Sequence, residues 1–289
     1  MLIGFIGDVH GQVFHAIAAV ATWQARTGQR FDLLIQVGDL GAYPDPARMD
    51  AASRQYLAVE PAQADFSRLL RAEGKRAETL RSLRGRVASA VHFIRGNHED
   101  FAWLRQLPVD LATTTAPVDP FDLFRYVPDG TLLERAGFRI AFLGGADDQD
   151  AGEGAIDPTA HQSLLGLGPG KIDLLITHDA PYGISVGYYG QTQGSRLITQ
   201  LIERTQPTFH VAGHLALNGP RFYGRTTFLC LDGLVESRRW HPTARGLAPG
   251  CLAVLDTAQA SLSPVMDPWL STFDTPFDFD RWAEAFDLR

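Results

Sequence analysis

What constrains this chain most is a set of short apolar runs, each ending abruptly in a polar, chemically reactive tip. They read "LIGFIGDVHG", "DLLIQVGDLG", "VHFIRGNHED", "IDLLITHDAP" and "TFHVAGHLA". Four to six apolar residues bounded by glycine and charge suit a strand, and runs apolar on both faces suit strands covered on both sides. Further runs of the same kind are "FRIAFLG", "TTFLCL" and "CLAVL". Helical stretches lie between them. "VFHAIAAVATWQA" follows the first run, and "SRLITQLIER" carries Leu197, Leu201 and Ile202 at helical spacing. Strand and helix in alternation predict a layered α/β fold. From about residue 126 the pattern looks hairpin-linked, with Asp129-Gly130 and Ala136-Gly137 as turn signals. The expectation is a mixed sheet, or two sheets packed together.

The tips carry the chemistry. In order they present Asp8 and His10, Asp39, Asn97 and His98, His178, and His214. Ligands of layered α/β folds gather outside the carboxyl ends of the strands, so these side chains are expected to meet. Gly7, Gly38, Gly96 and Gly213 beside them permit tight turns and close backbone approach. Oxygen and nitrogen donors without thiolate suit Mn, Fe, Zn or Mg. A single strand-end histidine says little, and His15, His92, His161, His210 and His241 are read as structural or exposed. The succession of tips is the signal.

Bulk properties exclude other classes. At 289 residues the chain can bury a full core without staples. Its net charge of −7 argues against a protein that coats nucleic acid. Cys230 and Cys251 sit in strand-like runs and are read as buried free thiols, which fits a reducing cytoplasm. The opening apolar run is too short for a signal peptide and lacks a basic leader. No run reaches membrane-spanning length, so no membrane partner is expected.

Residues 45–90 read as a helical insert, broken at Pro61 and with Gly74 ending a helix. Arg68, Arg71, Lys75, Arg76, Arg81, Arg84 and Arg86 outnumber Glu73 and Glu78 there. They are read as a solvated helical face, the alternative being a cap that attracts an anionic substrate. One domain over 1–265 is expected, followed by an aromatic, acidic tail over 266–289. Phe279, Trp282 and Phe286 of that tail would share a helix face and dock on the domain.

The series Asp8-x-His10, Gly38-Asp39, Gly96-Asn97-His98-Glu99, His178 and Gly213-His214 resembles the calcineurin-like metallophosphoesterase superfamily over residues 3 to about 216. The resemblance implies an α/β fold of two mixed β-sheets packed as a sandwich between helices. It implies two divalent metal ions, Mn²⁺ first, with Fe, Zn or Mg as alternatives. The first would take Asp8, His10 and Asp39; the second Asp39, Asn97, His178 and His214. Such ions, roughly 3.5–4 Å apart, activate a shared hydroxide. His98 would be the general acid for the leaving group, the alternative being a residue that only orients ligands, and Arg95 would either grip phosphate oxygens or form a salt bridge at the strand end.

Departures from the pattern matter. The last motif reads Gly213-His214-Leu215-Ala216, so alanine stands where many members have a second histidine. Serine/threonine phosphatases and symmetrical diadenosine tetraphosphate hydrolases also lack that histidine. In their middle motif, however, Gly-Asp is followed by an Asp that supports the acid and an Arg that binds phosphate. Here Leu40-Gly41-Ala42-Tyr43 follows instead. The insert, "GNHE" with "LRQLP", and "FRIAFLGG" with "IDLLITHDAP" look like the lariat-debranching enzymes. The resulting expectation is a hydrolase acting on a phosphomonoester or phosphodiester, with a phosphate-ester small molecule or nucleotide as substrate. The alternatives are a debranching-like nuclease acting on nucleic acid, or a phosphate- or nucleotide-binding module with a degraded metal site.

Overall fold

The computed structural model describes residues 1–289 except 88, 149–151, 187–189, 216–219, 236–245, 274–275 and 287–289. Ala216 and His241, both weighed above, therefore lie outside the described residues.

Two mixed sheets form the centre. The first runs, in spatial order, β15 (Ser261–Pro264), β14 (Leu252–Asp256), β1 (Leu2–Ile6), β2 (Leu33–Gln36), β3 (Val91–Phe93), β5 (Phe124–Tyr126) and β4 (Ala116–Pro117). The second runs β12 (Arg221–Tyr223), β13 (Thr226–Cys230), β11 (Phe209–Ala212), β8 (Leu174–Thr177), β7 (Phe138–Leu143) and β6 (Leu132–Arg135). A small ribbon, β9 (Ser185–Val186) with β10 (Thr192–Gln193), stands apart. Neighbours β1, β2 and β3 are parallel, as are β7, β8, β11 and β13.

Alternation along each strand builds the layers. Ile3 and Phe5 of β1 and Leu33 and Ile35 of β2 pack against Ile140 and Phe142 of β7, Leu174 and Ile176 of β8 and Val211 of β11. This is the dry seam between the sheets. Opposite residues face helices. Ile6 and Leu34 join Ile17, Val20 and Trp23 of α1 (Val13–Thr27), while Ala141 and Leu175 join Ile198, Leu201 and Ile202 of a helix over Arg196–Thr205. The first of these helices stops at Gly28, whose φ of 68° allows its N–H to reach the Gln24 carbonyl. The order helix, sheet, sheet, helix is the architecture expected from the sequence.

Two local expectations change. Ala136-Gly137 does turn the β6–β7 hairpin, with φ of 52° and 76°. Asp129-Gly130 does not; it lies where the chain passes from the first sheet to the second, between β5 and β6. Gly74 does not end a helix but opens one. The insert comprises a 3₁₀ turn at Pro46–Arg48, α2 (Ala51–Leu57), a second 3₁₀ turn at Pro61–Ala64, α3 (Asp65–Leu70) and α4 (Gly74–Arg86).

The basic residues of the insert are engaged elsewhere. Lys75 pairs with Glu284 at 2.6 Å, Arg76 with Asp280, and Arg84 with Asp122 at 3.0 Å. Two of these partners belong to the tail. Its helix over Phe279–Ala285 stacks Phe279 on Phe14 of α1, with ring centroids 4.7 Å apart, and Trp282 on Phe286 at 4.8 Å. No helix among the described residues is long and apolar enough to cross a membrane.

Candidate metal centre

The parallel strands β1, β2 and β3 of one sheet and β8 and β11 of the other deliver their carboxyl-end residues to one place. Loops after β1 and β2 are zipped together: the N–H groups of Val9 and His10 both donate to the Asp39 carbonyl, at 2.9 and 2.8 Å. The His98 N–H donates to Asp39 Oδ1 at 2.8 Å, and the Gly213 N–H donates to the His178 carbonyl at 3.0 Å. The loops close because glycine lets them. A Cβ on Gly96 would collide with Asp39 Oδ1, and one on Gly38, whose φ is 101°, would collide with His178 Nδ1. Backbone strain gathers here too. His10, Asp39 and His214 hold positive φ of 46°, 54° and 63°, a conformation that persists only where surroundings enforce it.

Four of the sequence-predicted ligands meet closely. One oxygen each of Asp8 and Asp39 and a ring nitrogen of His178 lie within 4.8 Å of one another, all three buried. His178 Nε2 is 3.6 Å from Asp39 Oδ1 and 3.0 Å from Asn97 Oδ1. His10 and His214 flank this group. His10 Nδ1 is 3.9 Å from Asp39 Oδ2. The His214 ring centroid is 5.0 Å from that of His178, and its backbone N–H donates to Asp8 Oδ1 at 3.2 Å.

The donor set fits a divalent cation. His178 Nδ1–H donates to the Val37 carbonyl at 3.0 Å, which fixes the tautomer and leaves Nε2 as a lone pair. Burial lowers its pKa to about 4 and keeps the ring neutral, against the opposing pull of Asp39. That lone pair faces the Asn97 and Asp39 oxygens, so acceptors converge with no proton between them. Burial, then the Asp39 charge, pushes Asp8 well above the usual carboxylate range. Burial also opposes the Asp39 charge, but His178 and the other surrounding histidines hold Asp39 down. Two buried carboxylates facing a bare imidazole nitrogen are stabilised by a cation among them.

His98 stands beside this group, 5.8 Å from His10 between ring centroids. Its Nδ1 bonds Asp50 Oδ2 at 2.9 Å, and the same oxygen accepts from Tyr43 Oη at 2.6 Å and Ser53 Oγ at 2.9 Å. Asp50 Oδ1 meanwhile caps α2 by accepting from the Ser53 N–H at 2.9 Å. Burial alone would lower His98; the Asp50 hydrogen bond, then the charges of Asp39, Asp50 and Glu99, raise it to about 9. The middle motif lacks the carboxylate that supports the acid in the phosphatases. The insert places the Asp50 carboxylate against His98 from a different position. In sequence Asp50 looks like an ordinary helix cap, so only its placement reveals the second role.

Glu99 is the other residue that sequence reasoning left without a task. It accepts from the Leu40 and Ala42 N–H groups at 2.8 and 2.6 Å, tying the loop after β2 to the loop after β3. Arg48 adds a bidentate pair to Asp100, at 2.6 and 2.7 Å, which anchors the start of the insert beside them.

Of the two readings of Arg95, the ion pair is the one present in this structure. Its Nε donates to Asp129 Oδ2 at 2.6 Å, and Nη1 and Nη2 donate to the carbonyls of Glu153 and Ala155 at 3.0 and 2.7 Å. The guanidinium braces the passage between the sheets. It does not line the cleft in front of the ligands, and neither does any of the seven basic residues over 68–86. That cleft, of about 270 Å³, is lined by Asp8, His10, Asp39, His98 and His214 on one side and by Ser53, Tyr56, Glu60 and Gln63 of the insert on the other.

No curated protein matches the sequence. The TT1561 protein of Thermus thermophilus superposes with a TM-score of 0.51 at 14% identity, covering 91% of this chain and 97% of that one. A second solved structure gives 0.50 at 14% identity, covering 92% and 98%. An archaeal phosphodiesterase covers 92% and 100% at 10% identity, with a TM-score of 0.39 too low to carry an argument. At such identities the likeness concerns the fold alone. The family model for calcineurin-like phosphoesterases matches residues 1–217, which include all the strand ends described above. This chain belongs to the calcineurin-like phosphoesterase family.

Proposed function

We propose that this protein hydrolyses phosphate esters, using two divalent cations held by Asp8, His10, Asp39, Asn97, His178 and His214, with Mn²⁺ the first choice. The observation that carries this reading is the convergence of the Asp8 and Asp39 carboxylates and the bare His178 nitrogen, with Asn97 Oδ1 beside it. Bound cations would draw charge from the phosphate oxygens and lower the pKa of water held between them. Asp39, in the loop after β2, would be the ligand shared by both ions. Asp8 and His10 reach it from β1, and Asn97 from β3.

His98 acts as general acid. Asp50 holds its Nδ1, which leaves Nε2 to carry the proton given to the departing alkoxide. The Asp50 carboxylate, bonded to Nδ1, favours the protonated ring. Tyr43 and Ser53 fix the Asp50 carboxylate, so the acid is oriented through a relay that begins in the insert. Donors such as His98 are worth ~10²–10⁴-fold in rate. Support also comes from the family, which is one of metal-dependent phosphoesterases. Proton donation and an oriented acid suit turnover better than simple binding.

Hydrolysis of p-nitrophenyl phosphate and bis-p-nitrophenyl phosphate with added Mn²⁺ tests the reading. Turnover of at least one is expected, and the preference separates monoester from diester chemistry. A folded, metal-loaded protein that turns over neither would instead be a phosphate- or nucleotide-binding module.

A further inference from the structure

The last residue of β2 is out of character with its strand. Leu33, Leu34, Ile35 and Val37 around it are apolar, and Leu34, two places back on the same face, packs in the core under α1. Gln36 is nevertheless 0% exposed. A buried amide is costly unless its polar atoms are answered, and here the loops after β1 and β2 answer them. Nε2 donates to the Gly7 carbonyl at 3.1 Å and to the Gly38 carbonyl, and Oε1 accepts from the Gly38 N–H at 3.2 Å. Two acceptors and one donor fix which way round the amide lies.

Gly7 and Gly38 immediately precede Asp8 and Asp39. The Gln36 amide therefore ties the peptide before one carboxylate to the peptide before the other. Beyond the carboxylates lies a second tie, where the Val9 and His10 N–H groups donate to the Asp39 carbonyl. Between these ties one oxygen of Asp8 and one of Asp39 come within 4.8 Å of each other, both residues buried. Like charges so placed repel, so their spacing depends on what holds the loops. A methionine at position 36 would suit the strand as well and would tie nothing.

We propose that Gln36 is a positioning residue: its amide sets the separation of the Asp8 and Asp39 carboxylates, and with it the size of cation that the strand ends hold. The proposal rests on the metal-binding part of the phosphoesterase reading.

The test is calorimetric titration of the full-length protein, freed of metal by chelation, with Mn²⁺ and separately with Cd²⁺, a larger ion of the same charge that also accepts imidazole. Gln36→Met keeps the length of the side chain without its hydrogen bonds. Gln36→Asn keeps the amide but is one methylene too short to span both loops. In either variant Mn²⁺ affinity should fall by about 10–100-fold, the range seen when a group that orients metal ligands is removed. Cd²⁺ should lose less, because a larger ion tolerates a wider pair of carboxylates. Far-ultraviolet circular dichroism and the melting temperature of the metal-free protein show which variants are folded. Unchanged Mn²⁺ affinity in a folded variant, or a Cd²⁺ loss as large as the Mn²⁺ loss, would overturn the proposal. Failure of both variants to fold would overturn it too, since Gln36 would then be a requirement of the fold. A wild type that takes up neither ion would overturn the metal-binding reading itself, and the proposal with it.

Discussion

The cleft and the tail-covered face of α1 both bury histidine and aromatic side chains, yet they treat polar groups in opposite ways. In the cleft the polar groups around the converging acceptors are answered. His178 donates to Val37, Glu99 accepts two backbone N–H groups, and Asp50 accepts from Tyr43 and two Ser53 groups while bonding His98. On the tail face His15 is 1% exposed, and neither ring nitrogen has a hydrogen-bond partner; it packs on Phe277 with centroids 4.5 Å apart. The first region holds polar groups in fixed directions for a ligand. The second excludes water by stacking rings. A buried histidine is thus functional through its oriented lone pair, and burial alone does not mark it.

Substitutions can break this contrast, and the largest effects belong in the cleft. His98→Ala should slow esters with poor leaving groups by roughly 10²–10⁴-fold and activated aryl esters far less. Asp50→Asn should follow the same pattern at about 10–100-fold, the size typical of a residue that orients another. Rates measured across a series of leaving-group pKa values check both. Equal slowing of every ester would remove His98 from the acid role and Asp50 from its support.

The tail face should respond in stability instead. Burial lowers the His15 pKa to about 4, against about 6.5 in the unfolded chain. Between these values the unfolded chain binds a proton that the folded chain refuses. Stability is therefore lost as pH falls from about 6.5 towards 4, by on the order of 3 kcal/mol once below both. His15→Leu should flatten the acid side of the urea-unfolding free energy against pH. An unchanged slope would place the acid sensitivity elsewhere, for instance in His92 or His210, which burial also lowers, to about 4 and about 3. Phe279→Ala should cost about 2–3 kcal/mol, below the range for a central Phe because its helix is near the end of the chain, and should leave turnover nearly intact. A large loss of turnover would mean that the two regions are coupled through α1. Smallest of all, Lys75→Ala should change stability by less than about 1 kcal/mol, since Lys75 and Glu284 are 75% and 56% exposed.

The same contrast explains what could be read from sequence. Asp8, His10, Asp39, Asn97, His178 and His214 stood out because each follows an apolar run directly, and parallel strands turn that position into a shared place. The layers were legible because both-face apolar runs demand cover on both sides. Asp50 was not legible, since a helix cap and a histidine partner look identical until the helix is placed. The task of Arg95 depended on Asp129 and two carbonyls far along the chain. Asp129-Gly130 has the residues of a hairpin turn, and nothing local tells a hairpin from a crossing between sheets. Short strands such as β4, β9 and β10, of two residues each, exist through their partners and carry no pattern of their own.

The account's central claim is that the strand ends hold a pair of cations through a shared Asp39. Metal content of the protein equilibrated with Mn²⁺ and desalted, measured for the wild type and for Asp39→Asn, tests it most directly. The claim predicts two ions per chain in the wild type and loss of both, together with turnover, in the variant. A wild type that retains no ion, or a folded Asp39→Asn that retains two and stays active, would contradict it.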